Sequence, residues 1–180
     1  MVKTILFLFV TVFSFSQNKD QEHYIYFSGA IDIRNATVGS TPTNNKPAAD
    51  LLYQFGMVGQ NFEVNIGYEN FKAIHFDKYS IGIGYHFPLY GYVFGKQIKT
   101  VFIPSIEPSL IGRWGAEWQC TSSHLSIGGN LSLRWFLSDK VAIEWLTNFL
   151  PRTDLCARYP EIHPSIPVIS SNYLKIIYKI

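Results

Sequence analysis

The run from Phe62 to Phe87, FEVNIGYENFKAIHFDKYSIGIGYHF, limits the folds open to this chain more than any other stretch. Phe62, Val64, Ile66 and Tyr68 alternate with Glu63, Asn65, Gly67 and Glu69. Beyond a loop over 72–78, Tyr79, Ile81, Ile83, Tyr85 and Phe87 alternate with Ser80, Gly82, Gly84 and His86. Successive side chains of a strand point to opposite faces, so period-2 alternation on both arms predicts a hairpin with one large apolar face and one small, polar or charged face.

The pattern recurs along the chain and predicts eight strands. The first covers 24–34, with Ile25, Phe27, Ile31 and Ile33 opposite Ser28, Ala30, Asp32 and Arg34. A Thr-, Asn-, Gly- and Pro-rich loop over 35–49 precedes a strand over 51–58, and a tight turn at 59–61 leads into the hairpin. The segment 88–96, PLYGYVFGK, is aromatic but broken by Pro and Gly and receives no assignment. A strand over 97–114 carries Pro104 and Pro108, which predict a bulge or local break. Strands over 125–135, 141–149 and 173–180 complete the set, with a short turn at 137–140 and a long proline-bearing loop over 151–171. Most connections fall into long and short sets at opposite ends of an up-and-down sheet; the one after strand four does not.

Composition points to an apolar environment and to export. Charged residues make up 16% of the 180, against roughly 25% in ordinary soluble domains, and aromatics also reach 16%. Lys3, the apolar run Ile5–Phe15 and the small residues Ser14 and Ser16 predict a signal peptide over 1–16, cleaved before Gln17. A formal charge of +2, with no basic stripe, gives no case for nucleic acid. Cys120 and Cys156 have no His or Cys at ligand spacing, so in an oxidising compartment they read as a disulfide pair rather than a metal site. No cofactor motif is present: Gly82 and Gly84 lie within a strand, not before a helix, and His75, His86 and His163 are scattered.

Two eight-stranded architectures fit two chemically opposite faces: a soluble lipocalin-like barrel with the apolar face inside, and a membrane barrel with it outside. The apolar face carries Tyr53, Phe55, Phe62, Tyr68, Tyr79, Tyr85, Phe87, Phe102, Trp114, Trp135, Trp145, Phe149 and Tyr178. That is too much volume for the interior of an eight-stranded barrel. The small face fits inside, with Asp32, Glu63, Glu69, Glu107 and Glu144 facing Arg34, Lys99, Arg113, Arg134, Lys175 and Lys179. Near-balanced charges in a narrow lumen are expected to pair, in particular Glu107 with Arg113 and Arg134 with Glu144. Tyr68, Tyr79, Trp114 and Trp135 are expected to form interfacial girdles.

With a signal peptide, eight alternating strands, alternating loop lengths and the terminal strand LKIIYKI, the chain resembles the small outer-membrane β-barrels of the OmpA and OmpX type. The resemblance implies an eight-stranded antiparallel up-and-down transmembrane β-barrel over 17–180, in the outer membrane of a Gram-negative bacterium. It also implies a monomer that contacts outer-membrane lipid and lipopolysaccharide and uses the barrel-assembly machinery during insertion. Members commonly end on an aromatic residue, whereas this chain ends on Ile180 with Tyr178 two residues before it. In that topology both chain ends are periplasmic, Cys120 lies in the third outer loop and Cys156 in the fourth, and a disulfide would tie the two loops together.

His124 and Ser126 read as a loop-proximal histidine and a small lumen serine. They are also similar to the His-x-Ser pair of eight-stranded lipid A deacylases, which implies a hydrolase with an acid such as Glu144. The chain departs from that pattern: Ile127 follows the serine, and no Glu stands between Ser126 and Glu144. The expected function is non-enzymatic, a surface-interaction or envelope-integrity protein with a side-chain-filled lumen. A narrow channel for small or apolar solutes and the deacylase-like hydrolase are the alternatives.

Overall fold

A computed structural model describes residues 23–40, 43–93, 96–113, 123–158, 161–162 and 164–180, with backbone alone at 90–93, 96–98, 113 and 158. The signal segment 1–16, Trp114, Cys120 and His163 lie outside the described residues. The strands are β1 (Tyr24–Asp32), β2 (Leu51–Gly59), β3 (Phe62–Phe71), β4 (Phe76–Tyr85), β5 (Phe87–Val93), β6 (Lys96–Arg113), β7 (His124–Phe136), β8 (Val141–Pro151) and β9 (Val168–Lys179). Each pairs antiparallel with its neighbours; β1 closes on β9 and β4 closes on β6, so the ring is a barrel of eight strands. This is the up-and-down architecture that the resemblance implied. Among the described residues no helix is long and apolar enough to cross a membrane.

Where boundaries differ from the sequence reading, a local interaction explains most of them. β1 stops at Asp32 because its carboxylate accepts the Asn35 N–H at 2.8 Å and caps a short helix, α1 (Ile33–Thr37), turning Ile33 and Arg34 out of the sheet. The β3–β4 connection is a single 3-10 turn (Lys72–Ile74) closed by His75 at φ 51°, so β4 starts at Phe76 and Lys78 belongs to the strand. The loop expected over 151–171 contains α2 (Thr153–Arg158), and β9 begins at Val168 rather than Tyr173. At the tight turn, Gln60 and Asn61 have φ of 51° and 69°, the left-handed geometry of the type I′ hairpins that match strand twist.

The segment left unassigned is a strand. β5 continues β4 past His86 and pairs with the first half of β6 in one register, from Phe76↔Arg113 to Val93↔Lys96. The β4–β5/β6 hairpin therefore projects beyond Phe62, where β3 begins, at the short-turn end of the barrel. β6 runs through Pro104 and Pro108 as one strand with no bulge, and the expected local break appears in one of its two ladders. Its ladder to β7 is continuous there, while the ladder to β4 skips the register positions opposite Ile103–Pro104 and Glu107–Pro108. A proline has no N–H to donate, so the two prolines aim their missing donors at the β4 seam and spare the β7 seam.

The two faces are inverted relative to a soluble protein. Ile66 and Tyr79 are each 58% exposed and Phe55 47%, whereas Arg134 and Lys78 are 0% exposed. Aromatics gather on the outer surface at the short-turn end, where the Phe62, Tyr85, Phe87 and Phe102 rings follow one another at centroid distances of 5.1, 4.8 and 6.4 Å. Toward the long-loop end Tyr68 and Tyr79 lie 5.0 Å apart. There the Tyr68 hydroxyl donates to Asp77 at 2.7 Å, an amphipathic placement expected at a boundary between apolar and aqueous surroundings. Inside, small residues make room for large ones: a Cβ on Gly56 would stand 2.6 Å from the Tyr26 ring, and one on Gly82 2.6 Å from Asn65.

Candidate functional site

The lumen is the place where this sequence concentrates chemistry. Strand parity points Glu63, Arg134, Glu144 and Lys175 inward from four different strands, and they meet toward the short-turn end. Arg134 donates through Nε to Glu144 at 2.6 Å and through Nη1 to the Tyr24 hydroxyl at 2.8 Å, and its Nη2 forms an ion pair with Glu63 at 2.8 Å. Lys175 pairs with Glu144 at 2.6 Å and donates to Gln54 at 2.8 Å. Glu63 further receives the Tyr26 hydroxyl at 2.5 Å and lies 2.6 Å from His86 Nε2. The Arg134 guanidinium sits over the Tyr26 ring, 5.2 Å from its centroid. The expected Arg134–Glu144 pair is present.

Nearer the long loops a second network centres on Lys78, which pairs with Glu69 at 2.7 Å and Glu107 at 2.9 Å. Asn130 and Asn148 donate to the two oxygens of Glu107 at 2.7 and 3.3 Å. Glu107 thus has Lys78 as a partner; the expected Glu107–Arg113 pair rests on a side chain that lies outside the described residues. Sequence reading missed Lys78 because it assigned 72–78 to a loop. Continuing the alternation of Ser80 and Gly82 back by one step would have put Lys78 on the lumen face. Sequence reading placed His86 on that face but left it out of the charged set, where it lies 2.6 Å from Glu63. Arg34 and Lys99, expected in the lumen, are exposed, and Lys179 lies at the rim, 4.4 Å from the Tyr24 ring centroid and 4.3 Å from that of Phe136.

The long-loop mouth is different in character. Phe71, Ile74, Phe76, Ile111 and Leu150 form a buried apolar cluster, and the Arg152 guanidinium lies 4.6 Å from the Phe76 ring centroid while paired with Asp154 at 2.5 Å. Beside this cluster Asp32, Asp50 and Glu69 border a cavity of about 240 Å³. Burial, with the nearby charges of Glu69 and then Asp32, pushes the Asp50 carboxyl up to about 8.

His124 and Ser126 do lie at the long-loop end of β7, but the acid they would need is not with them. The Ser126 hydroxyl donates to the Pro151 carbonyl at 2.5 Å. Glu144 is committed to Arg134 and Lys175, and in register with β7 it lies opposite Arg134, eight strand residues from Ser126, or about 26 Å at ~3.3 Å per residue. Cys156 lies in α2 and is half-buried. Among the described residues no group of three His, Cys, Asp or Glu side chains is arranged to hold a metal ion.

No protein-family model matches the chain, and no curated protein matches it. Among solved structures it is similar to the crystal structure of Neisserial surface protein A, with 12% sequence identity, coverage of 90% of this chain and 100% of that chain, and a TM-score of 0.49.

Proposed function

We propose that the chain is an integral protein of the outer membrane of a Gram-negative bacterium, a plugged barrel whose role is non-enzymatic: it carries exposed loops for surface interaction or contributes to envelope integrity. The observation that carries this reading is the inversion of faces, with the ionic groups inside and a continuous surface of Ile, Leu, Phe and Tyr outside. Lipid satisfies such a surface, and a closed ladder satisfies the backbone within it. The partners are outer-membrane lipid and lipopolysaccharide along the belt and the barrel-assembly machinery during insertion. Ring closure leaves no free sheet edge in the eight-stranded wall, which supports a monomer.

The side chains of Arg134, Lys78, Tyr26 and Tyr173 are large and fully buried, which favours a plug over a channel. The separation of Glu144 from Ser126 favours a non-enzymatic barrel over a lipid A hydrolase. Cys120 and Cys156 join the third and fourth outer loops as a disulfide; full thiol labelling of the unreduced, unfolded protein would remove that pairing.

The test is gel mobility of the outer-membrane fraction and of detergent-refolded protein, with and without boiling. A heat-dependent shift together with outer-membrane fractionation is the expected result. A soluble mature protein with no shift overturns the membrane reading. Stepwise conductance in planar bilayers would overturn the plug, and altered lipid A mass after expression would overturn the non-enzymatic role.

A further inference from the structure

The cavity at the long-loop mouth has an unbalanced wall. Three carboxylates border it, and two are already engaged. Asp32 accepts the backbone N–H groups of Asn35 at 2.8 Å and Asn172 at 3.2 Å, and Glu69 pairs with Lys78 at 2.7 Å. Asp50 is different. Its Oδ2 accepts from Asn35 Nδ2 at 3.0 Å and the Tyr173 hydroxyl at 3.4 Å, while its Oδ1 is buried with no hydrogen-bond partner. The Ser40 hydroxyl oxygen, on the same cavity, is a second buried polar atom without one. Buried polar atoms in native proteins are overwhelmingly paired, so two orphans on one cavity call for a ligand.

The wall also selects the kind of ligand. The nearby cations do not supply it: Lys78 is held between Glu69 and Glu107, Arg152 is held by Asp154 through two hydrogen bonds of 2.7 and 2.5 Å, and Arg34 is exposed. No three acidic, His or Cys side chains converge as metal ligands among the described residues. The rest of the lining includes Phe71, Ile74, Leu150 and Ile169, and the volume of about 240 Å³ lies below the ~300–1,000 Å³ of sites for drug-sized molecules. We propose that the mouth cavity binds a small primary alkylammonium, its charged head on Asp50 Oδ1 and its short stem against the apolar wall. An ammonium carries three N–H donors and no acceptor, which suits orphaned oxygens.

Binding is linked to a proton. Around Asp50 stand Asp32 at the end of β1, Glu69 on β3, Lys78 on β4, Tyr173 on β9, Arg34 on α1 and Arg152 before α2. Their balance, with burial, keeps the carboxyl protonated up to about 8. The cation binds the carboxylate, so at neutral pH it displaces one proton, and affinity climbs about tenfold per pH unit up to that value.

The experiment is titration calorimetry of the detergent-refolded full barrel with n-butylammonium chloride between pH 6 and 8, in buffers of different ionisation enthalpy. Saturable binding is expected, with about one proton released per cation, affinity rising about tenfold per pH unit, and n-butanol failing to compete. Asp50→Asn, checked for folding by heat-dependent gel mobility, is expected to bind at least about tenfold more weakly. If that variant does not fold, the pH series on the unaltered protein decides. Absence of binding, pH-independent binding, equal competition by n-butanol, or equal binding by folded Asp50→Asn would overturn the proposal.

Discussion

The Arg134 network and the Asp50 mouth are both buried, both charged and both inside one barrel, yet they end in opposite states. Around Arg134 every carboxylate oxygen of Glu63 and Glu144 has a named donor, and the guanidinium divides its three nitrogens among Glu144, Glu63 and Tyr24. Around Asp50 two acids crowd a third, and one oxygen is left over. The difference teaches that burial alone does not make a charge structural. A closed set of partners fixes the wall, while an open set leaves a place where protons or ligands change the energy.

Removing the hub of the closed set should have the largest effect. Arg134→Met leaves Glu63 and Glu144 buried with fewer partners, and breaking a buried pair from one side costs about 3–5 kcal/mol. Urea unfolding in detergent, followed by loss of the heat-dependent gel shift, measures it; a loss under ~1 kcal/mol would mean that the network is already hydrated. The belt sharpens the comparison from outside. Ile83, 54% exposed and midway along the wall, should tolerate Arg poorly in bilayers, by about 2–4 kcal/mol. In a soluble barrel the same exposed position would accept Arg with little change, so the refolding equilibrium of Ile83→Arg in lipid vesicles separates the two.

Most of the barrel wall was legible from alternation, because a sheet with an apolar outer face and a polar lumen face writes the two into every second residue. Glu63, Glu69, Glu107, Arg134 and Glu144 were all readable as lumen residues for that reason. What alternation cannot convey is which charges meet. The pairing of Lys78 with Glu107 was not foreseen because it depends on register across the β4–β6 seam, and Glu107 and Lys78 are remote in sequence. β5 was hidden because Pro and Gly weaken a strand signal that an established hairpin register can still extend. The mouth site was invisible for another reason: Asp50 falls between the loop over 35–49 and the strand over 51–58, and its crowding by Asp32 and Glu69 exists only once β1, β2 and β3 are side by side.

A pH titration probes the open set directly. The Asp50 carboxyl is near 4 in the unfolded chain and about 8 in the folded one, so between those values the native state holds a proton that the unfolded state has lost. Stability from this group is therefore present in full below about pH 4 and is lost as pH rises through about 8. The slope is at most about 1.4 kcal/mol per pH unit. Asp50→Asn carries no titrating proton and should flatten the slope in urea unfolding series from pH 5 to 8. An unchanged slope would assign the dependence to another group. The Arg134 network supplies the contrast, since Glu144→Gln should weaken the barrel across the whole range without removing that slope.

The smallest effect belongs to the turn that sets the register of the opening hairpin. Gln60 adopts φ 51° between β2 and β3, a region where a side chain costs about 1–2 kcal/mol and glycine costs little. Gln60→Gly relieves that strain but gives the unfolded chain more freedom, so the net gain should be no more than ~1 kcal/mol. Asn61, at φ 69°, is already a residue that tolerates the left-handed region, so Asn61→Gly should gain less. Paired unfolding curves for the two variants test whether the strain lies at residue 60. Equal gains would mean that the turn is relaxed and that its register is set by the strand faces alone, through pairs such as Val64↔Met57 and Ile66↔Phe55.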